Sequence, residues 1–266
     1  MALAEEMKHL QQVTNDEGVL TIYLNTDFAN QNQHRGEWKI RLKNGSKRLV
    51  EYAEKSEDKE QVKQLKRLLD EVETYIQDKQ AEMQRSLVII ASADGSLWSA
   101  HMLQVPVESA FHWERTPELT QLHELYKQYP KTGVIVTQKR DVLLIDTALG
   151  EVRDELKFHW SFETDDWVQR DTGHTSAPGG ADTAADEFDR RFEENMQRWY
   201  KKLAPILTKE LKSRNLEDAY FVGSKEMTDE LTQHIDNSKI RGKVQKNLGS
   251  KPTHEILNTV YGESLR

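Results

Sequence analysis

The sequence predicts an α/β protein built as two mixed α/β domains, residues 1–130 and 131–266. Three observations lead there. Short apolar strands alternate with long amphipathic helices in both halves. The second half opens as an antiparallel meander and then alternates helices with strands, which makes a mixed sheet. Tyr129-Pro130 punctuates the chain between the halves.

A chain of 266 residues buries ample core without covalent staples. It contains no cysteine, which excludes disulfides, thiolate metal sites and cysteine nucleophiles and fits a reducing compartment, the cytoplasm. Met1 to Leu10 carries acid and lacks an apolar run, so neither a signal peptide nor an anchor is expected there. No apolar stretch approaches membrane-spanning length. The net charge of −8 argues against indiscriminate binding to nucleic acid, so the distribution of charge matters more than its sum.

In the first domain, Val19 to Asn25 reads as a strand apolar on both faces, hence central in its sheet. A polar run, Phe28 to His34, separates it from a helix over Glu37 to Lys55, with Trp38, Leu42, Leu49 and Tyr52 at helical spacing. Asp58 to Gln84 repeats apolar residues at nearly heptad spacing, from Val62 and Leu65 to Ile76 and Met83, and so pairs with that helix as a helical hairpin. Ser86 to Ala91 and Leu97 to Leu103 flank Asp94-Gly95, the strongest β-hairpin signal in the chain. Val105 to Val107 and Phe111 to Trp113 are expected as short edge strands around Pro106. Pro117 to Tyr126 is expected as a short helix with proline in its first turn.

In the second domain, Gly133 to Thr137, Val142 to Ile145 and Val152 to Phe158 form the meander. A long polar loop, Trp160 to Ala181, follows; connections of that length are uncommon unless functional or disordered. It runs into the longest helical pattern, with apolar residues from Ala185 and Phe188 through Phe192, Trp199 and Leu203 to Leu211. Asp182 or Thr183 is placed to cap it. Pro205 is expected to kink or split this helix near Lys201. Ala219 to Val222 is a strand, Lys225 to Ile235 a helix, Lys239 to Val244 a strand, and Thr253 to Val260 a closing helix.

Two features point to chemistry. The loop ends in Pro178-Gly179-Gly180-Ala181, where paired glycines permit close approach to another molecule's backbone. The other is a basic run of Lys239, Arg241, Lys243, Lys246 and Lys251, whose alternation sets Lys239, Arg241 and Lys243 on one strand face as a phosphate contact. An edge strand defended by charge accounts for the same pattern.

The second domain resembles the middle domain of the archaeo-eukaryotic class 1 peptide-chain release factors, and more closely their bacterial homologues. The resemblance is carried by Gly133-Val134-Ile135-Val136 with Leu149-Gly150-Glu151, by Gly179-Gly180 leading into Phe188-Asp189-Arg190-Arg191-Phe192, and by Ala219-Tyr220-Phe221-Val222-Gly223-Ser224. The first domain is similar to those bacterial proteins in Leu20 to Asp27 and in Arg35-Gly36-Glu37-Trp38-Lys39. The resemblance implies an RNase H-like second domain. It implies a release-factor-like or Pelota-like translation factor that binds ribosomal RNA, with tRNA and a translational GTPase as further partners. It also implies a Gly-Gly-Gln loop that helps water cleave peptidyl-tRNA. Family members usually continue into a third domain, which would begin about where this sequence ends.

Here Ala181 stands in place of the glutamine, and residues 160–189 hold eight acids against one base, Arg170. Ribosome rescue, recycling or hibernation without glutamine-dependent hydrolysis is therefore the function expected. A hydrolase using His174 or Asp182 to place the water is the rival, and an interaction module reusing the fold is a third reading. No metalloprotease, Walker or dinucleotide motif occurs, Asp141 and Asp146 sit at strand ends, and neither metal nor cofactor is expected.

Overall fold

The computed structural model describes residues 2–27, 36–55, 59–170 and 182–264, with side chains in the last stretch from 190 to 262. The chain divides into two units: Met1–Gln128 with Leu149–Glu151, and Tyr129–Ala148 with Val152–Arg266.

The first unit is a four-stranded antiparallel sheet. Strands β1 (Val19–Asn25), β2 (Ser86–Ser92), β3 (Trp98–Leu103) and β4 (Ala110–Glu114) lie in the order β3-β2-β1-β4. Six of the seven β1 residues are buried, as an interior strand covered on both faces requires. Leu20, Ile22 and Leu24 point to a core shared with Trp38, Leu42 and Leu49 of α2 (Glu37–Glu54) and Leu65, Leu69, Val72 and Ile76 of α3 (Lys59–Asp78). These two helices form the expected hairpin. Thr21 and Tyr23 point the other way, where Tyr23 Oη donates to Glu118 O at 2.6 Å.

One helix of this unit was not foreseen, and one expected strand is absent. Residues 3–10 fold as a helix, α1 (Leu3–Leu10), because Leu3, Met7 and Leu10 share one buried stripe. Val105 to Val107 is not a strand. Pro106 interrupts it, and its carbonyls are claimed by side chains, Val105 O by Ser86 Oγ at 2.5 Å and Val107 O by Asn25 Nδ2 at 3.0 Å. The remaining α-helix of the unit is α4 (Thr120–Gln128), which starts after Pro117 and does not hold it in its first turn as expected.

The second unit is a mixed six-stranded sheet in the order β10-β9-β5-β6-β7-β8. Its strands are β5 (Thr132–Thr137), β6 (Asp141–Ala148), β7 (Glu151–Ser161), β8 (Asp166–Arg170), β9 (Asp218–Val222) and β10 (Ile240–Val244). β5 and β6 are antiparallel, as are β7 and β8, whereas β9 runs parallel to β5 and β10 parallel to β9. One face is covered by α5 (Asp182–Ser213) and by Leu231 and Ile235, in and just beyond α6 (Lys225–Thr232). Gly133 lets α5 lie close, since a Cβ there would stand 3.0 Å from Leu211 Cδ2 and 3.2 Å from Leu144 Cδ1. The last helix, α7 (Thr253–Ser264), brings Tyr261 Oη to Thr147 Oγ1 at 3.0 Å.

Two further expectations change here. The loop from Trp160 is shorter than its composition suggests, because β7 continues to Ser161 and residues 166–170 return beside it as β8. Pro205 does not split α5. It sits on the exposed side, while Leu203, Leu207 and Leu211 continue the buried stripe across it, and that packing outweighs one missing hydrogen bond.

Candidate functional site

Pro178, Gly179, Gly180, Ala181 and His174 lie outside the described residues, and Asp182 is described only as the first backbone position of α5. What the structure gives is the frame on either side of them: the β7–β8 hairpin before, and α5 after. An aromatic cluster joins the two. Trp160 of β7 stacks on Trp199 of α5 with centroids 4.3 Å apart and planes 17° apart. Trp167 of β8 meets Trp160 edge-on at 5.7 Å, and Phe192 of α5 meets Trp199 at 5.7 Å and Tyr200 at 5.9 Å. Trp167 Nε1 also donates to Trp199 O at 2.9 Å, tethering the edge strand to the helix backbone. This is why a strand with a single buried residue, Trp167, forms at all.

The hairpin tip is fixed by charge. Asp165, in the left-handed region at φ 48°, accepts from Arg198 Nη1 and Nη2 at 3.1 and 3.0 Å and from Lys202 Nζ at 3.1 Å. The Lys202 hydrogen bond, with the positive charges of Arg198 and Lys202, holds the Asp165 carboxyl below the usual aspartate range. Lys202 also lies over the Trp160 ring, 5.5 Å from its centroid.

The basic run around β10 is paired. Lys239 belongs to a 3₁₀ turn, Asn237–Lys239, and not to the strand, because Asp236 caps that turn by accepting from Ser238 N at 2.8 Å. Its ammonium donates to the carbonyls of Leu216 and Glu217 at 3.2 and 2.8 Å. Arg241 donates to Asp218 Oδ2 and Tyr220 Oη, both at 3.1 Å. Lys243 donates to Asp229 Oδ1 at 2.7 Å, and Lys225 reaches the other oxygen at 2.5 Å. Hydrogen bonds from Lys225 and then Lys243 bring the Asp229 carboxyl down to about 2. The acids that neutralise Arg241 and Lys243 come from β9 and α6, distant in sequence.

Asp146 is 4% exposed and bound by Arg153 at 2.7 Å and Arg214 at 3.5 Å, so its carboxylate is committed to ion pairs. Among the described residues no cluster of histidine and carboxylate side chains has the arrangement of a metal site. Sequence reasoning missed one polar centre, in the first unit. Buried His101 of β3 places Nδ1 2.9 Å from Glu151 Oε1 and Nε2 3.3 Å from Glu6 Oε2. Its only sequence signal is a histidine on an otherwise apolar hairpin.

The chain is 34% identical over 263 residues to "Uncharacterized protein YocB" of Bacillus subtilis (strain 168), covering 99% of this chain and 98% of that protein. The profile described as Bacterial archaeo-eukaryotic release factor family 5 matches residues 130–262. The chain belongs to this family. The match takes in the family-5 meander, the frame of the Gly179-Gly180 stretch, all of α5 and the paired cations of β10. Two solved structures align with 99% of this chain at 11% identity. One is titled "Archaeal protein" (TM-score 0.32, 74% of that chain) and the other is archaeal translation termination factor aRF1 (TM-score 0.31, 73% of that chain). Likeness at that level carries neither fold nor function across. No described helix of this family-5 protein is long and apolar enough to cross a membrane.

Proposed function

We propose that this family-5 protein is a ribosome-associated translation factor, acting in rescue, recycling or hibernation, that does not cleave peptidyl-tRNA by the glutamine-dependent route. The observation that carries the reading is the family match over residues 130–262 together with Ala181 at the place of the glutamine. Release needs a polar group that sets a water against the ester carbonyl, and geometry comes before pKa in choosing it. A methyl side chain has no such group. The strand order supports reading the second unit as RNase H-like: β5, β6 and β7 are neighbours, and β9 and β10 add in parallel beyond β5. In this reading Pro178 to Ala181 approaches ribosomal RNA or tRNA in the A site, a translational GTPase is a delivery partner, and the cytoplasm is the site of action. Arg241 and Lys243 reach phosphate only by exchanging Asp218 and Asp229 for it, while Lys239 would give up two backbone carbonyls.

The test is purified protein on ribosomes bearing a labelled peptidyl-tRNA. Peptide release at the background rate is expected. Release well above background, abolished by His174→Ala or Asp182→Ala, would replace this reading with a hydrolase.

A further inference from the structure

On the second unit, α5 and His234, just beyond α6, border an open groove of about 830 Å³. Lys201, Pro205, Thr208, Lys209, Lys212 and His234 are among its walls. At about 100° per residue, Lys201, Pro205, Lys209 and Lys212 fall within an arc of roughly 80° on α5. At about 1.5 Å per residue the run from Lys201 to Lys212 covers roughly 16 Å, the reach of a few consecutive phosphates. The buried stripe of Leu203, Leu207 and Leu211 lies on another side of the helix, so the three ammoniums are exposed together.

None of the three is held in an ion pair among the described residues: Lys201, Lys209 and Lys212 have no carboxylate within ion-pair distance. The cations of β10 are engaged, Arg241 by Asp218, Lys243 by Asp229 and Lys239 by backbone carbonyls. No carboxylate lines the groove among the described residues; nearby, Glu230 takes His234 at 3.1 Å, and Asp236 caps the turn after α6 and feels the charge of Lys212. A chain of net charge −8 has thus gathered three lysines along one groove, none of them in an ion pair among the described residues.

We infer that this groove is an RNA-binding surface, in which Lys201, Lys209 and Lys212 contact successive phosphates of one RNA strand. It deepens the ribosomal reading above by naming the face that meets RNA. Ammoniums act as point charges that neutralise a phosphate backbone without reading its sequence, and the groove wall offers no guanidinium fork of the kind that recognises carboxylates bidentately. An acidic protein segment is therefore the poorer fit. The β10 cations contribute less, because each must first leave its present partner.

The experiment measures anisotropy of a labelled RNA duplex, and co-sedimentation with 70S ribosomes, across a salt series. It compares wild type, the triple variant Lys201→Glu/Lys209→Glu/Lys212→Glu and the double variant Arg241→Glu/Lys243→Glu, each checked for an unchanged melting temperature. The triple variant should bind duplex about tenfold or more weakly, with a salt slope shallower by about three, near one per lysine. The double variant should lose less. A triple Lys→Gln set, free of introduced repulsion, should show the same shallower slope. A triple variant that matches wild type on both probes overturns the groove and leaves ribosome binding standing. If wild type binds duplex through these lysines yet fails to sediment with ribosomes, the groove is upheld and the ribosomal reading falls. Poly-glutamate of matched charge binding as tightly as RNA would overturn the assignment to RNA.

Discussion

Trp160 is the side chain whose removal should most damage the frame around the glycine pair. It is fully buried, stacks on Trp199 and receives the edge of Trp167, so it joins β7, β8 and α5 at one point. Truncating a buried tryptophan to alanine costs about 3–5 kcal/mol, of which each aromatic pair supplies about 0.5–1.5 kcal/mol. Against total stabilities of about 5–15 kcal/mol that is a large share. Trp160→Phe should cost much less, because it keeps a ring in the stack. It also forfeits no hydrogen bond, since the Trp160 indole N–H has no partner among the described residues. Urea unfolding followed by far-ultraviolet circular dichroism gives the two free energies, and hydrogen exchange assigns the affected segment. Trp160→Ala should speed exchange over Asp166–Arg170 and in α5 around Trp199, leaving β1 to β3 unchanged. If alanine and phenylalanine variants unfold alike, or alanine costs under about 1 kcal/mol against that 3–5 kcal/mol expectation, the cluster does not hold the hairpin to the helix.

Three more outcomes are expected. Burial alone would lower the His101 pKa, but the Glu151 hydrogen bond and the charges of Glu151 and Glu6 raise it above the ordinary 6.5. The stability this adds is fully present below the unfolded value and lost as pH rises through the folded one. First-unit unfolding midpoints should thus fall over that window, and His101→Gln should flatten the fall; an unchanged profile would mean the histidine stays neutral. Asp146→Ala should cost about 3–5 kcal/mol in urea unfolding by removing the buried carboxylate that Arg153 and Arg214 share, with recovery in Asp146→Ala/Arg153→Met; no recovery would put the cost elsewhere. Gly133→Val should cost about 1–3 kcal/mol by pressing on Leu211 and Leu144, and a neutral result in thermal unfolding would show that α5 shifts freely.

What was legible in the sequence was whatever a single element decides for itself. The bounds of β1 followed from a two-sided apolar run, the β2–β3 hairpin from Asp94-Gly95, and α5 from its stripe. β8 was not legible, because one tryptophan among polar residues has no periodicity and the strand exists through Trp160 and Trp199. Pro205 misled because propensity is local, while the packing that overrides it is not. At the site, the basic run around β10 read as one exposed face until Asp218 and Asp229 folded against it. The groove shared by Lys201, Lys209 and Lys212 emerged only once His234, just beyond α6, was in place.

The ribosomal role rests on one measurement above the others: sedimentation of the purified wild-type protein with 70S ribosomes through a sucrose cushion at moderate salt. A ribosome-bound factor pellets with the ribosomes in saturable, near-stoichiometric amount and is released as salt is raised. Protein that stays at the top of the cushion at every salt concentration, with ribosomes in excess, would contradict the ribosomal role and leave an interaction module on a release-factor-like fold.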